Sequence, residues 1–393
     1  MKIEQKRQNL QTDKLLMPLA SIKMRIAYVH FYVEDAIIWR DWFVHHLGFE
    51  KLDDGAVIPS FPGKQDTPSH TRTEVVKSGS VCFVLSSAIS SISPVAEYLR
   101  QHPPGVVDIA FEVEDLSATI TLAKAYGTDI IQQPGIQVQK SKQKNTTYTK
   151  QAKIIAWGGL THTLLETQLK ENAIENYSSP CSIQAIDHLV LNVAVGDLKA
   201  AVNWYQNILG FRPQQKFNIQ TEYSALHSQV MVSPDGDVQL PINEPATPNS
   251  QIQEFLNANR GAGIQHIALK TRDIISSIAE FRARGLSFLP ISQSYYSQLQ
   301  QRANLPLKSN ELVSIAKQEI LVDWKEDYPN ALLLQIFTRP IFSQPTFFFE
   351  FIERRECAQG FGEGNFRALF EAMELEQIKR GSLQIGDKKV TKE

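Results

Sequence analysis

The sequence predicts an α+β fold built from four similar strand–helix–strand modules in two halves, followed by a C-terminal helix. Three observations predict it. Residues 26–49 (IAYVHFYVEDAIIWRDWFVHHLGF) and 186–211 (IDHLVLNVAVGDLKAAVNWYQNILGF) both run from an alternating strand into a helix with a central Trp, and both end in Leu-Gly-Phe. Residues 105–127 (GVVDIAFEVEDLSATITLAKAYG) align without gaps to 263–285 (GIQHIALKTRDIISSIAEFRARG). A shorter likeness joins HTLLE at 162–166 to TFFFE at 346–350.

Taken in order, each module opens on a strand of β-branched and aromatic residues and passes into a helix. Gly48 and Gly210 fit the left-handed position just past a helix end. In the second and fourth modules an acidic turn precedes the helix, and Gly127 and Gly285 close it. The polar stretch 169–181 has linker composition, and the segments 136–151, 243–252 and 292–312 read as loops on a rim. The tail reads as a helix opening at Asn365, an N-cap type, with Phe366, Leu369, Phe370 and Met373 at helical spacing. Before it, GFGEG at 360–364 has three glycines in five residues and reads as a hinge.

Composition narrows the class. A chain of 393 residues with 42% hydrophobic and 21% charged content reads as a globular protein large enough for two or three domains. A net charge of −2 gives no reason to expect nucleic acid or membrane as a partner. The cysteines Cys82, Cys181 and Cys357 are far apart and in no metal-ligand spacing, so a reducing compartment without a disulfide framework is expected. The N-terminal stretch is polar and no segment approaches ~20 apolar residues, which makes the cytoplasm the default location.

Three residues stand out against this background. His188, His266 and Glu350 each lie in or at the end of an apolar run, where an imidazole or carboxylate is costly unless satisfied. Two histidines and a carboxylate can hold a non-haem Fe(II) ion on one face and leave the opposite positions open. A lone strand histidine is more often a core residue than a ligand, so the residues alone leave both readings open. Duplication adds a comparison. Asp108 aligns with His266, Tyr28 falls at or near His188, and Glu166 matches Glu350. One metal site per chain is therefore expected, in the C-terminal half. His45 and His46 read as helix surface, His70 and His102 as loop residues, and His30 and His162 belong to the half without the triad. A cavity-facing role for His227 stays open.

From about residue 183 to 383 the motifs IDHLVLNV, WYQNILGF, LPINEPA, SQIQEF, GAGIQHIALKT, LLLQIFTRP, PTFFFEFIER and GFGEGNFRALFEAMELEQ closely resemble 4-hydroxyphenylpyruvate dioxygenases, members of the vicinal-oxygen-chelate superfamily. The N-terminal half matches more loosely, through YVHFYV, GVVDIAFEVED and THTLLE. The resemblance implies four βαβββ modules forming two half-barrel domains. Residues 22–168 would form a domain without a metal site. Residues 183–383 would form the catalytic domain, with Fe(II) and a lid helix. It further implies conversion of 4-hydroxyphenylpyruvate and O₂ to homogentisate and CO₂. Whether the product feeds tyrosine catabolism or prenylquinone biosynthesis stays open. It implies that Ser224, Asn243, Gln251, Gln265 and Gln335 orient the substrate; as bare residues, Asn243 and Gln251 read equally well as loop polar groups. The implied pocket contains Phe337, Phe348, Phe361, Asn365, Phe366 and Phe370, whereas Phe347 and Phe349 alternate away from it. A homo-oligomer is expected, with the metal-free half available for assembly. The rivals are 4-hydroxymandelate synthase, sharing substrate, metal and fold, and a non-oxidative or binding member of the superfamily.

Overall fold

The computed structural model describes residues 23–52, 70–140, 146–168, 182–302 and 305–383. The expected linker at 169–181, which includes Cys181, lies outside the described residues. The N-terminal half contains β1 (Arg25–Tyr32), α1 (Ala36–Leu47), β2 (Glu50–Lys51), β3 (Thr71–Ser78) and β4 (Val81–Ala88). After α2 (Pro94–Gln101) come β5 (Gly105–Glu112), α3 (Leu116–Ala125), β6 (Ile130–Lys140), β7 (Thr146–Ile155) and β8 (Thr161–Gln168). The C-terminal half contains β9 (Ile183–Asn192), α4 (Leu198–Leu209), β10 (Arg212–Gln220), β11 (Ala225–Val232) and β12 (Gln239–Pro245). After α5 (Gln251–Asn259) follow β13 (Gly263–Thr271), α6 (Ile274–Ala283), α7 (Gln293–Gln301), α8 (Ser309–Lys317), β14 (Leu321–Lys325), β15 (Tyr328–Phe337), β16 (Phe348–Arg354) and α9 (Phe366–Arg380).

Each half forms one eight-stranded mixed sheet, and the two sheets have the same order: β2-β3-β4-β1-β5-β8-β7-β6 and β10-β11-β12-β9-β13-β16-β15-β14. Four βαβββ modules and a C-terminal helix make this the α+β architecture the repeat predicts. Within each half the first strands of the two modules pair antiparallel, β1 with β5 and β9 with β13. Each then takes the last strand of its own module in parallel. The last strands of the modules therefore lie beside the first ones at the sheet centre, where side chains on one face converge.

Local chemistry explains the repeated helices. Asp35 accepts from the amides of Ile37 and Ile38, and Asp115 and Asp273 cap α3 and α6 through Ala118 and Ser276. Gly48 and Gly210 hold φ of +69° and +70° just past α1 and α4.

Three polar stretches expected as loops carry regular structure instead. Residues 136–151 lie largely in the β6–β7 hairpin, at a sheet edge where polar strands are favoured. The segment 243–252 begins inside β12 and ends in the first turn of α5. The segment 292–312 holds α7 and the start of α8; Ser292 caps α7, and Tyr296 and Leu299 bury its inner stripe.

The two sheets share one core. Phe347 and Phe349 turn away from the concave face of their own sheet and pack edge-on against Phe31 and Phe43 of the other half. Reciprocally, α4 packs against the first sheet, where His162 meets Tyr205 Oη at 3.1 Å. No helix among the described residues is long and apolar enough to cross a membrane.

Two histidines in the first half, His162 buried and His30 half-buried, make the fold acid-sensitive. Burial pushes His30 down to about 3, helped by Lys153, and His162 down to about 4. Between 6.5, their ordinary value, and 4, the unfolded chain binds protons that the fold refuses. Stability is therefore present above about pH 6.5 and lost as pH falls. Thermal melts should show the midpoint dropping by several degrees between about pH 7 and pH 5. A flat midpoint over that range would exclude neutral buried imidazoles.

Candidate metal centre

Three adjacent strands bring the three singled-out residues together. His188 lies on β9, His266 on β13 and Glu350 on β16. In the ladder, Ala268 pairs with His188 on one side and with Glu350 on the other, and His266 is two residues away on the same face. A methyl group between two large polar side chains leaves room for them to converge. Their ligand atoms all lie within 4.8 Å of one another. His188 Nε2 is 3.2 Å and His266 Nε2 3.6 Å from the same oxygen, Glu350 Oε2.

The electrostatics favour a cation at that point. Burial alone would depress His188, but the Glu350 and Asp187 carboxylates outweigh it and lift the imidazole to about 9. Burial holds His266 below its ordinary value despite Glu350. Burial would raise Glu350, yet the two imidazoles keep it below the usual carboxylate range. The cluster thus favours positive charge between His188 and Glu350, the role a divalent ion would fill. The fit is chemical as well: three donors aim at one point, and Arg354, the nearby cation, is committed to Asp187 at 2.7 Å. A two-histidine, one-carboxylate set leaves coordination positions open, as a catalytic site requires.

Supporting contacts fix the donors. His188 Nδ1 donates to Asp187 at 2.9 Å, which sets its tautomer. Gln335 Nε2 donates to Glu350 Oε1 at 3.2 Å, Asn365 Nδ2 donates to Gln335 Oε1 at 3.0 Å, and Asn365 Oδ1 faces Tyr295 Oη at 2.8 Å. Asn365 therefore does not cap its helix. Its amide is drawn inward to Gln335 and Tyr295, and a short 3₁₀ turn at 363–365 starts the helix.

A cavity of about 90 Å³ opens on the cluster. Gln335, Asn243, Gln251 and Gln265 line it, as do Phe337, Phe348, Phe361, Phe366 and Phe370. Phe348 stacks on His266 with ring centroids 4.7 Å apart. Ser224 is placed differently: its hydroxyl donates to Glu374 of α9 at 2.6 Å, and Thr221 donates to the same oxygen. Neither Ser224 nor Asn365 lines the cavity. Ser228 and Phe217 do, and the sequence reading missed both. Alternation was the available signal, along β11 from Leu226 for Ser228 and along β10 with Ile219 for Phe217. The same alternation turns His227 outward, where it meets Asn218.

Ladder register also corrects one pairing in the repeat. Asp108 pairs with Thr161 and Ala110 with Thr163, as His266 pairs with Phe348 and Ala268 with Glu350. Tyr28, opposite Ala110, takes the place of His188, and Thr163, not Glu166, takes the place of Glu350. Glu166 corresponds to Glu353. Both accept from the first amide of a helix, Leu116 at 3.1 Å and Ile274 at 2.7 Å. In the first half, Asp108 accepts from Thr161 and Thr163 and faces Lys153 at 3.5 Å. Asp108→Ala should cost about 1–3 kcal/mol by orphaning these donors. Metal stoichiometry, measured by elemental analysis, should stay unchanged.

Comparison with known proteins follows the geometry. Residues 185–303 match the Glyoxalase/Bleomycin resistance protein/Dioxygenase superfamily. A 4-hydroxyphenylpyruvate dioxygenase of Caenorhabditis briggsae is 38% identical over 91% of this chain and 92% of its own length. The Sus scrofa 4-hydroxyphenylpyruvate dioxygenase is 35% identical over 90% of this chain and 92% of its own. Among solved structures, a triple-substituted 4-hydroxymandelate synthase of Streptomyces coelicolor superposes with a TM-score of 0.73 at 27% identity, covering 90% of this chain and 98% of that one. With the shared sheet order and the His-His-Glu cluster, these likenesses establish that the chain belongs to the 4-hydroxyphenylpyruvate dioxygenase family.

Proposed function

We propose that this protein is an Fe(II)-dependent dioxygenase that converts 4-hydroxyphenylpyruvate and O₂ to homogentisate and CO₂. The observation that carries the reading is the convergence of His188, His266 and Glu350 on one buried point beneath an aromatic-lined cavity. Held by these three residues, Fe(II) would supply O₂ activation and Lewis-acid binding of the 2-oxo acid. The protein's part is to bind, orient and exclude water. Phe337 and Phe348 offer ring faces to the phenol, worth ~0.5–1.5 kcal/mol each beyond area burial. Asn243, Gln251, Gln265 and Gln335 present amides that donate to oxo-acid and phenol oxygens without adding charge. Phe361, Phe366 and Phe370 bring apolar surface from the C-terminal segment over the site, and α9 acts as a lid. Ser224 supports the lid through Glu374.

The reading also assigns residues 22–168 to a metal-free domain and 183–383 to the catalytic one, in a cytoplasmic homo-oligomer. Light scattering on the purified chain tests the assembly. The likeness to a 4-hydroxymandelate synthase gives the second reading, hydroxylation at the benzylic carbon in place of the ring. Anaerobic Fe(II) reconstitution, followed by O₂ uptake and product identification by mass and NMR, separates the two. Homogentisate is expected. Hydroxymandelate as the product would establish the second reading, and absence of O₂ uptake would exclude both.

A further inference from the structure

Two hydrogen-bond paths leave the His188–His266–Glu350 cluster, and both end on residues 358–366. One runs from Glu350 through Gln335 to Asn365. The other runs through Arg354 and uses both edges of its guanidinium. Nε and Nη2 each donate to the Asp187 carboxylate at 2.7 Å, and Asp187 accepts from His188 Nδ1. Nη1 donates to the carbonyls of Ala358 at 3.1 Å and Gly360 at 2.9 Å. Asp187 and Arg354 are both largely buried, so neither half of this clamp is set by solvent.

The turn that leads into the clamped segment is strained. Glu356 and Cys357, two adjacent non-glycine residues, hold φ of +45° and +54°. Beyond them Phe361 places its ring edge-on to His188 with centroids 5.2 Å apart. The planar fork of arginine is what lets one side chain hold a carboxylate and two carbonyls together; lysine is a point charge without that geometry.

We propose that Arg354 is a positioning residue that couples metal loading at His188 to the ordering of residues 358–366. A cation on His188 Nε2 fixes the ring and strengthens its Nδ1 hydrogen bond to Asp187. The position of Asp187 fixes one edge of the Arg354 fork, and the opposite edge fixes the two carbonyls. Linkage makes the coupling reciprocal, so a segment held in place favours the loaded site. The inference deepens the proposed function, but it rests only on a metal at the triad and on no particular substrate.

Hydrogen exchange on the full chain tests it, with Co(II) as the probe and O₂ excluded. Residues 358–366 are the reporter, and Arg25–Tyr32 in the other sheet is the control. Co(II) is expected to slow exchange at 358–366 in the wild type and to leave the control unchanged. Arg354→Lys should bind Co(II) on the order of 10–100-fold more weakly. At saturating Co(II) residues 358–361, which Arg354 holds, should exchange as fast as without the metal, while Asn365 on the separate Gln335 path and the control stay protected. A merely structural role would speed exchange with and without Co(II) and preserve the difference between them, which would overturn the proposal. Should Arg354→Lys fail to fold, Asp187→Asn breaks the same link from its other end and must also lose the Co(II)-dependent protection, and wild-type exchange at 358–366 that ignores Co(II) overturns the coupling. Wild-type protein that takes up no Co(II) would sink the triad and the coupling together. Co(II)-dependent protection in a chain that forms no homogentisate with Fe(II) would support the coupling while refuting the proposed function.

Discussion

Glu350→Ala is expected to give a folded protein that retains no metal and forms no product. The residue is the shared partner of both imidazoles, at 3.2 Å from His188 and 3.6 Å from His266. Removing it takes away the only anionic donor of the cluster and leaves two neutral nitrogen ligands, one short of a two-histidine, one-carboxylate set. It also frees Gln335, whose amide donates to Glu350 Oε1. The loss of metal affinity should exceed the roughly 10–100-fold typical of replacing a supporting residue around a metal site. The strand itself should survive, because its other face carries Phe349 and Phe351 in the core and an alanine fits the ladder beside Ala268. Metal content after anaerobic Fe(II) loading, together with turnover, checks this outcome. Wild-type turnover in Glu350→Ala would remove Glu350 from the site. Glu350→Gln separates shape from charge, since the amide fills the same volume but does not supply an anion.

How much of this was legible in the sequence depends on the distance over which each fact is set. The modules were legible because their signals are local. Hydrophobic period, the aspartates before the helices and the glycines after them all lie within one strand–helix unit. His188, His266 and Glu350 stood out because polar groups in apolar strands call for partners. Register across strands was less legible. The likeness of HTLLE to TFFFE suggested that Glu166 is the counterpart of Glu350, but the ladder puts Thr163 there and gives Glu166 a helix amide, as it does Glu353. Tertiary partners were not legible at all. Ser224 is engaged by Glu374 from 150 positions away, and Asn365 gives up capping its own helix for Gln335 and Tyr295. In both cases a distant side chain overrides a local propensity, and no window of sequence contains that information.

Gly362→Ala should leave the metal in place and still cost turnover on the order of 100-fold. Gly362 sits at φ +75° in the segment that leads to α9, and its backbone lies against Gln335. A Cβ there would overlap Gln335 Oε1 and stand 2.7 Å from Gln335 Cδ. Either the Gln335 amide must rotate away, or the segment carrying Phe361 must lift. Each response breaks the Asn365–Gln335–Glu350 path that orients the amide toward the site. The three candidate donors keep their own contacts with one another, so metal should still load at saturating Fe(II), with affinity lowered on the order of 10-fold by the lost Gln335 support, while O₂ consumption becomes poorly coupled to product. Gly381→Ala is the control. It holds a similar φ of +77° at the other end of the same helix, and a Cβ there meets nothing within 4 Å. Both variants carry the backbone strain of about 1 kcal/mol or more that a side chain incurs at positive φ. Only Gly362→Ala adds the clash with Gln335. Oxygen-electrode traces compared with product yield distinguish them. If Gly362→Ala couples O₂ to product as efficiently as Gly381→Ala, Gln335 does not orient the reacting groups, and the segment before α9 is a passive cover.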